Sequence, residues 1–346
     1  MTNVAVVGAA GYAGIEAVRL VLSHDRLRLT LATSTADDDK PVSAVYPALD
    51  GMTDLSFSLP QPDAIAASAD VALLAVPHTA ALKLVPELLE RGVTVIDLSA
   101  DYRLQDAEIY EAWYAAPHTS PELLPEAVFG LPELDRSRLA GARLVACPGC
   151  YPTATTLAAL PALAAGIVTG DRVVVDAKSG VSGAGRSATG GTHYVTVDEA
   201  VAPYKVAAHR HTPEMEQALS VAAGRALSVV FAPHLVPMSR GLLSTVYLDV
   251  DARLTLGDAL ELYRARYAEE PFVFVRERGV MPSTAEVRGS NRAAIGIALD
   301  EHTHTLIAAC AIDNLVKGAA GQAVQCMNAV LGYPETEGLD RPTPVV

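Results

Sequence analysis

Two cysteines stand three positions apart in the stretch ACPGCYPTATTL, at Cys147 and Cys150. Such a pair serves three kinds of chemistry: a redox disulfide, half of a zinc site, or a nucleophile beside a bystander thiol. Zinc asks for four ligands, commonly from two paired sets. The remaining cysteines, Cys310 and Cys326, lie far apart, and no second pair has finger spacing, so no metal is expected. A thioredoxin-like pair would open a helix in a small domain, whereas this one lies on the seam of a larger fold. The nucleophile reading fits the local sequence best. RLVA (143–146) reads as a strand, Pro148-Gly149 as a turn, and Pro152 suits the first turn of a helix. Cys150 then falls at or near the N-cap, where the helix dipole stabilises a thiolate by about 0.3–1 kcal/mol, or ~2 when buried. A neighbouring imidazole lowers a thiol pKa further. Cys147 reads as a small buried hydrophobe.

Cationic and hydroxyl groups gather downstream. VVVDAKSGVSGAGRSATGGTHY (173–194) is a strand running into a glycine-rich loop, with Lys178 and Arg186 beside it. A loop this rich in glycine, directly after a strand, suits a ligand that approaches the backbone. In AAHRHTPEMEQAL (207–219), Thr212 is expected to cap the helix that Pro213 opens, which puts His209, Arg210 and His211 on the approach to a helix N-terminus. Arg240 precedes a long strand.

The elements that must position these groups begin at the N-terminus. Val4–Val7 is a β-branched run that stops at Gly8; Gly11 and Gly14 follow, and Ile15, Val18 and Leu22 recur at helical spacing. Strand, glycine turn and helix are the context of a dinucleotide-binding fingerprint, in which backbone N–H groups and a helix N-terminus meet a pyrophosphate. Further apolar strands at 27–33, 71–76, 93–99 and 143–146 alternate with helical stretches, as in a parallel sheet covered on both faces. VPHT (76–79) and LSADYR (98–103) follow strands, where ligands of such sheets bind. The second strand ends ATSTA without the acid that usually holds an NAD ribose. Ser34, Thr35 and nearby Lys40 favour a 2′-phosphate, while Asp37–Asp39 oppose it from several residues later, so NADP(H) is the expected cofactor. The run 37–40 reads as a solvated turn.

The chain has 346 residues, a length suited to two domains. Strands near 228–232, 243–250, 293–299 and 305–312 have fewer crossover helices, so the second domain is expected to carry a mixed or antiparallel sheet. Residues 311–332 read as a helix. The net charge of −14 disfavours nucleic acid and anionic lipid as partners. An anionic small substrate would need a local cationic cluster. No apolar run is long enough to span a membrane, and no basic leader precedes the first strand, so a cytoplasmic location is expected.

These motifs carry a resemblance. GAAGYAG (8–14), PGCYPT (148–153), SGVSGAGR (179–186), HRHTPE (209–214), SRG (239–241) and AIDNLVKGAAGQAVQCMN (311–328) make the chain similar to the N-acetyl-γ-glutamyl-phosphate reductase family, nearly end to end. The resemblance implies an α/β fold: a Rossmann domain at 1–149, rejoined by a C-terminal helix at about 314–346, and a catalytic and dimerising α+β domain at 150–313. It implies reduction of an acyl phosphate with NADPH through a thioester on Cys150. His209 or His211 would be the acid and base, with His209 the first choice. Arg103, Arg186 and Arg240, with Lys178 behind, would hold the substrate's anions. Cofactor contacts would come from Gly8, Gly11, Tyr12, Ala13, Gly14, Ser34, Thr35, Pro77, His78, Ser99, Ser182, Gly183 and Asn314. A homodimer or homotetramer is implied. Three rivals differ in identifiable ways. A lysine-pathway relative acting on carrier-linked aminoadipyl phosphate lacks Tyr-Pro after the cysteine, present here as Tyr151-Pro152. Aspartate-semialdehyde dehydrogenase lacks the HRHTPE segment. A nucleotide sensor has no need of the Cys, His and Arg set.

Overall fold

The computed structural model describes residues 1–340. Its contacts divide the chain into two units: Met1–Pro148, to which the chain returns at Ala319, and Gly149–Gly318.

The first unit is built on six strands: β1 (Thr2–Val7), β2 (Leu27–Thr33), β3 (Val71–Leu74), β4 (Thr94–Asp97), β5 (Val128–Phe129) and β6 (Leu144–Ala146). They pair in the order β2-β1-β3-β4-β6-β5, and every pairing is parallel. Successive strand residues face opposite sides. Ala5, Val7, Ala72, Leu74 and Val95 pack with Ile65, Val85 and Leu88 of the helices Pro62–Ser68 and Ala81–Glu90. Their neighbours Val4, Val6, Leu73 and Ile96 are equally buried on the other face. Burial on both faces explains why these strands read as continuous apolar runs. The strand order reverses between β1 and β3, which is the switch point where open α/β sheets bind ligands.

The second unit carries seven strands: β7 (Arg172–Gly180), β8 (Ala202–Pro203), β9 (Ser228–Val236), β10 (Leu242–Asp249), β11 (Val273–Val275), β12 (Ala293–Asp300) and β13 (Thr305–Ile312). Their order is β11-β12-β13-β10-β7-β9-β8, with β7–β9 and β11–β12 parallel and the other pairs antiparallel. One face is covered by the helix Cys150–Ala164, which is buried nearly all round. Thr155 of that helix bonds Ser244 of β10 at 2.9 Å. Pro161 lies inside the helix without breaking it. A proline offers no N–H to the carbonyl four residues back, and that carbonyl, Leu157 O, instead accepts the Tyr267 hydroxyl at 2.5 Å.

Several expectations need correction. The C-terminal helix expected at about 314–346 spans only Gly321–Val330. Residues up to Ile312 belong to β13, and the Asp313 carboxylate takes the amides of Leu315 and Val316, so the chain cannot run as a helix from 311. A π-helical turn, Val316–Ala320, follows, and Gly332 at φ +70° lies just beyond the helix end. The part of that expectation at 341–346 lies outside the described residues. Thr212 is the first residue of its helix and not its cap; His211 holds the N-cap position. Asp37 is buried and paired with Lys40 at 2.9 Å, so the 37–40 turn is only partly solvated. Among the described residues no helix is long and apolar enough to cross a membrane.

Candidate active site

In the first unit the glycine turn has the geometry a pyrophosphate requires. Gly8 sits at φ +82°, and a Cβ there would fall 2.4 Å from Ala75 O. A Cβ on Gly14 would fall 2.2 Å from Gly8 O. These two glycines are therefore demanded by the tight turn and by helix–strand packing. Gly11 differs: the nearest atom to a Cβ there is 3.5 Å away, so its lack of a side chain serves access from outside. Gly11 is the N-cap of Tyr12–Leu22, and no side chain caps that helix. Amide donors at such a terminus suit a phosphate. The cradle thus fits a dinucleotide, with Tyr12 exposed and Ala13 half-buried at its rim.

The neighbouring loops complete this edge of the sheet. Thr33 Oγ1 accepts the Gly8 amide at 3.2 Å. Ser34 is buried, and its hydroxyl oxygen accepts the Asp37 amide at 3.1 Å; Thr35 is exposed. Pro77 and His78 lie exposed on the turn after β3. Ser99 is buried and donates to Asp97 at 2.7 Å. Burial pushes the Asp97 carboxyl up to about 7 against the Ser99 hydrogen bonds, with Asp101 adding to the rise. Arg103 is buried and donates to Leu98 O at 2.8 Å, so its guanidinium braces its own loop. Cys147 is fully buried, next to Gly130, and belongs to this unit.

In the second unit Cys150 is the first residue of its helix, with Gly149 as N-cap. It is half-buried, unlike the other three cysteines. Glu214, 1% exposed, accepts the Gly149 amide at 2.8 Å and fixes the helix start. Gly318 closes the other side: a Cβ there would lie 2.6 Å from Cys150 Cβ. Sequence reading missed both residues. Glu214 was visible only as an acid in a first helical turn, and nothing local marks the approach of Gly318.

The two histidines meet. Their ring centroids are 4.8 Å apart, and both rings lie edge-on to Tyr151, at 5.6 Å for His209 and 6.0 Å for His211. Tyr204 and Phe231 complete an aromatic cage round His209, at 5.4 and 5.3 Å. Burial lowers the His209 pKa to about 4, with Lys205 and Arg210 adding repulsion. His209 Nδ1 accepts the His211 amide at 3.1 Å, so the ring proton sits on Nε2. His209 is therefore a neutral donor. Tyr204 donates to the Tyr151 hydroxyl at 3.2 Å. Burial raises both phenols, with the nearby Cys150 a smaller contribution, and brings that of Tyr204 to about 12.

Of the expected substrate residues, Arg103 belongs to the first unit and Lys178, Arg186 and Arg240 to the second. Arg240, part-exposed, faces the buried Asp313 carboxylate at 3.6 Å. Arg186 is exposed on the glycine-rich loop. Lys178 departs from expectation. Its neighbour Ala177 is buried opposite Ser244, on the face that meets the helix Cys150–Ala164, so Lys178 projects from the other face. There it pairs with Asp176 at 2.9 Å. Asn314 is buried; its Oδ1 accepts the Gly241 amide at 2.8 Å and its Nδ2 donates to Ser182 at 2.9 Å. Exposed Gly183 lies beside them, with a would-be Cβ 3.6 Å from Asn314. Among the described residues no group of three or more His, Cys, Asp or Glu is placed to hold a metal.

Comparison with known proteins agrees with this division. Residues 3–142 match the semialdehyde dehydrogenase NAD binding domain. Residues 150–314 match the semialdehyde dehydrogenase dimerisation domain. Among solved structures, aspartate semialdehyde dehydrogenase II of Vibrio cholerae, complexed with ASA, superposes with a TM-score of 0.72 at 18% identity, covering 96% of this chain and 98% of that one. The enzyme of Candida albicans with NADP gives a TM-score of 0.68 at 13% identity, over 95% and 98% of the two chains. At such identities the likeness is one of fold. Sequence relatives are far nearer. The N-acetyl-gamma-glutamyl-phosphate reductase of Citrifermentans bemidjiense is 50% identical over 341 residues, 98% of either chain. That of Symbiobacterium thermophilum is 48% identical over 344 residues, 99% of either. Identity of about one residue in two, sustained across both units, means that the chain belongs to the N-acetyl-gamma-glutamyl-phosphate reductase family.

Proposed function

We propose that the chain reduces N-acetyl-γ-glutamyl phosphate to the 5-semialdehyde and inorganic phosphate, in arginine biosynthesis, with NADP(H) as cofactor. The observation that carries the reading is Cys150 as first residue of a buried helix, next in the chain to Tyr151, whose ring both His209 and His211 meet edge-on. The thiolate, stabilised by the helix N-terminus, attacks the acyl carbon. The carbon–oxygen bond to phosphate breaks, and a thioester remains on Cys150. Bound NADPH supplies the hydride that the thioester carbonyl takes. The resulting tetrahedral oxyanion collapses to the aldehyde and returns the thiolate.

The chain's own groups divide the proton work. His209, neutral and carrying its proton on Nε2, is suited to donate a hydrogen bond to the developing oxyanion. A group titrating near 4 makes a poor base at neutral pH, so His211 is assigned the thiol proton. Glu214 holds the helix start, and with it the nucleophile, in register. Arg240 and Arg186 hold the substrate's carboxylate and phosphate; Arg103 orders the loop after β4. The cofactor contacts are those named from the sequence, from Gly8 to Asn314.

The active form is a homodimer or homotetramer in the cytoplasm. The side of the second sheet opposite Ala177 supports assembly. Val230 on β9, an interior strand, is 50% exposed, and Val174 on β7 is 37% exposed. Apolar side chains on interior strands ask for a cover, and the dimerisation-domain match makes a second copy the cover of choice.

The test is reverse-direction kinetics: NADP reduction by N-acetylglutamate semialdehyde with phosphate, against aspartate semialdehyde, and NADP against NAD. The reading predicts preference for the acetylated substrate and for NADP. Equal or better turnover of aspartate semialdehyde would refute it.

A further inference from the structure

Thr79, on the exposed turn after β3, has φ +71°. A β-branched residue in the left-handed region is strained and persists only where its surroundings hold it. The holding group is identifiable. The Thr79 amide donates to Asp101 Oδ1 at 2.8 Å. Asp101 lies on the loop after β4 and is 0% exposed. The same oxygen accepts the Tyr110 hydroxyl at 2.8 Å.

Asp101 is itself locked. His118 Nδ1 accepts the Ser120 amide at 3.3 Å, which puts the ring proton on Nε2; Nε2 then donates to Asp101 O at 2.8 Å. The Asp101 amide donates to Ser99 at 3.2 Å. A second path reaches the same turn. Tyr110 stacks on Tyr114 with centroids 4.7 Å apart, and Tyr114 meets the His78 ring at 5.9 Å. The turn also abuts the glycine cradle, since a Cβ on Gly8 would meet Ala75 O and Val76 N.

We propose that Asp101 is a positioning residue: it clamps the strained 76–79 turn against the glycine cradle and so presets the cofactor site. The proposal rests on the reading of Pro77 and His78 as cofactor contacts. A buried carboxylate that touches neither cofactor nor substrate would then govern cofactor affinity through one backbone amide.

The experiment is a double-mutant cycle on the full chain, with the NADPH dissociation constant read by fluorescence and the melting temperature read in parallel. Asp101→Ala removes the acceptor, and the turn relaxes. Strain of this class corresponds to about 5- to 150-fold in a binding constant, so NADPH should bind more weakly by a factor in that range, with kcat at saturating NADPH much less affected. Thr79→Gly removes the strain itself. Added to Asp101→Ala, it should restore most of the lost affinity, which a general loss of structure would not allow. If Asp101→Ala fails to fold, Asp101→Asn keeps the shape with a weaker acceptor, and the same rescue is expected on a smaller loss. Additive effects of the two substitutions on NADPH binding overturn the clamp. Coupling seen in melting temperature alone, with NADPH binding unchanged throughout, overturns the proposal through the reading of the turn as a cofactor contact.

Discussion

Replacing Gly318 with alanine drives a methyl group into the nucleophile. The new Cβ would lie 2.6 Å from Cys150 Cβ and 3.2 Å from Cys150 Cα. Carbon pairs rest at about 3.5–4.0 Å, so about 1 Å of movement must be found. Little of it comes from the glycine side. The Gly318 amide donates to Asp313 O at 2.9 Å. The Asp313 carboxylate is in turn fixed by the amides of Leu315, Val316 and Gly289, at 2.8, 3.1 and 2.7 Å. Glu214 holds Gly149, so the Cys150 side chain moves. Misplacement of a reacting group by about 1 Å costs about 100-fold in rate, or ~2.7 kcal/mol at ~1.36 kcal/mol per decade. Gly318→Ala should therefore lower kcat/KM for the semialdehyde by about two decades and slow alkylation of the thiol by iodoacetamide. Overpacking should also lower stability by about 1–3 kcal/mol. A variant with wild-type kcat/KM and wild-type alkylation would refute the argument that this close contact sets the thiol.

Three further outcomes are expected. Cys150→Ser should abolish turnover while still binding NADPH, whereas Cys147→Ala, altering a buried thiol of the first unit, should keep most activity; equal loss in both would point to disulfide chemistry. Tyr267→Phe strands the Leu157 carbonyl beside Pro161 and should cost about 1–3 kcal/mol in urea unfolding; combining it with Pro161→Ala, which restores an N–H, should recover part of that. Burial sets the His209 pKa at about 4 against an ordinary 6.5. The unfolded chain therefore takes up that proton first, so stability is full above about pH 6.5 and falls as pH drops towards about 4. Melting temperatures of His209→Phe should fall less over that window than those of wild type.

The parts legible in sequence were those with local causes. The glycine turn, the strands β1 and β2 and the helix opened by Cys150 are each dictated by residues close together in the chain. Strands of two or three residues, such as β5, β8 and β11, carry no periodicity to read. The expected helix fails at 311–315: that stretch has helical composition, but pairing with β10 and β12 and the Asp313 carboxylate override it. Lys178 lies within β7, and the alternation of the sheet turns it to the face away from the helix Cys150–Ala164. Pro161 inside a helix is tolerable because Tyr267, more than 100 residues later, supplies the missing donor. Glu214 and Asp101 act on amides 65 and 22 positions away, and Gly318 on Cys150 from farther still, separations that no local spacing rule reveals.

The central claim is a covalent one, and mass spectrometry tests it directly. The protein is mixed with N-acetyl-γ-glutamyl phosphate in the absence of nicotinamide cofactor, and the intact mass and peptide map are read. The account predicts one acyl group per chain, mapped to Cys150, absent in Cys150→Ser and discharged as semialdehyde when NADPH is added. No acylation, or acylation that persists in Cys150→Ser, would contradict it.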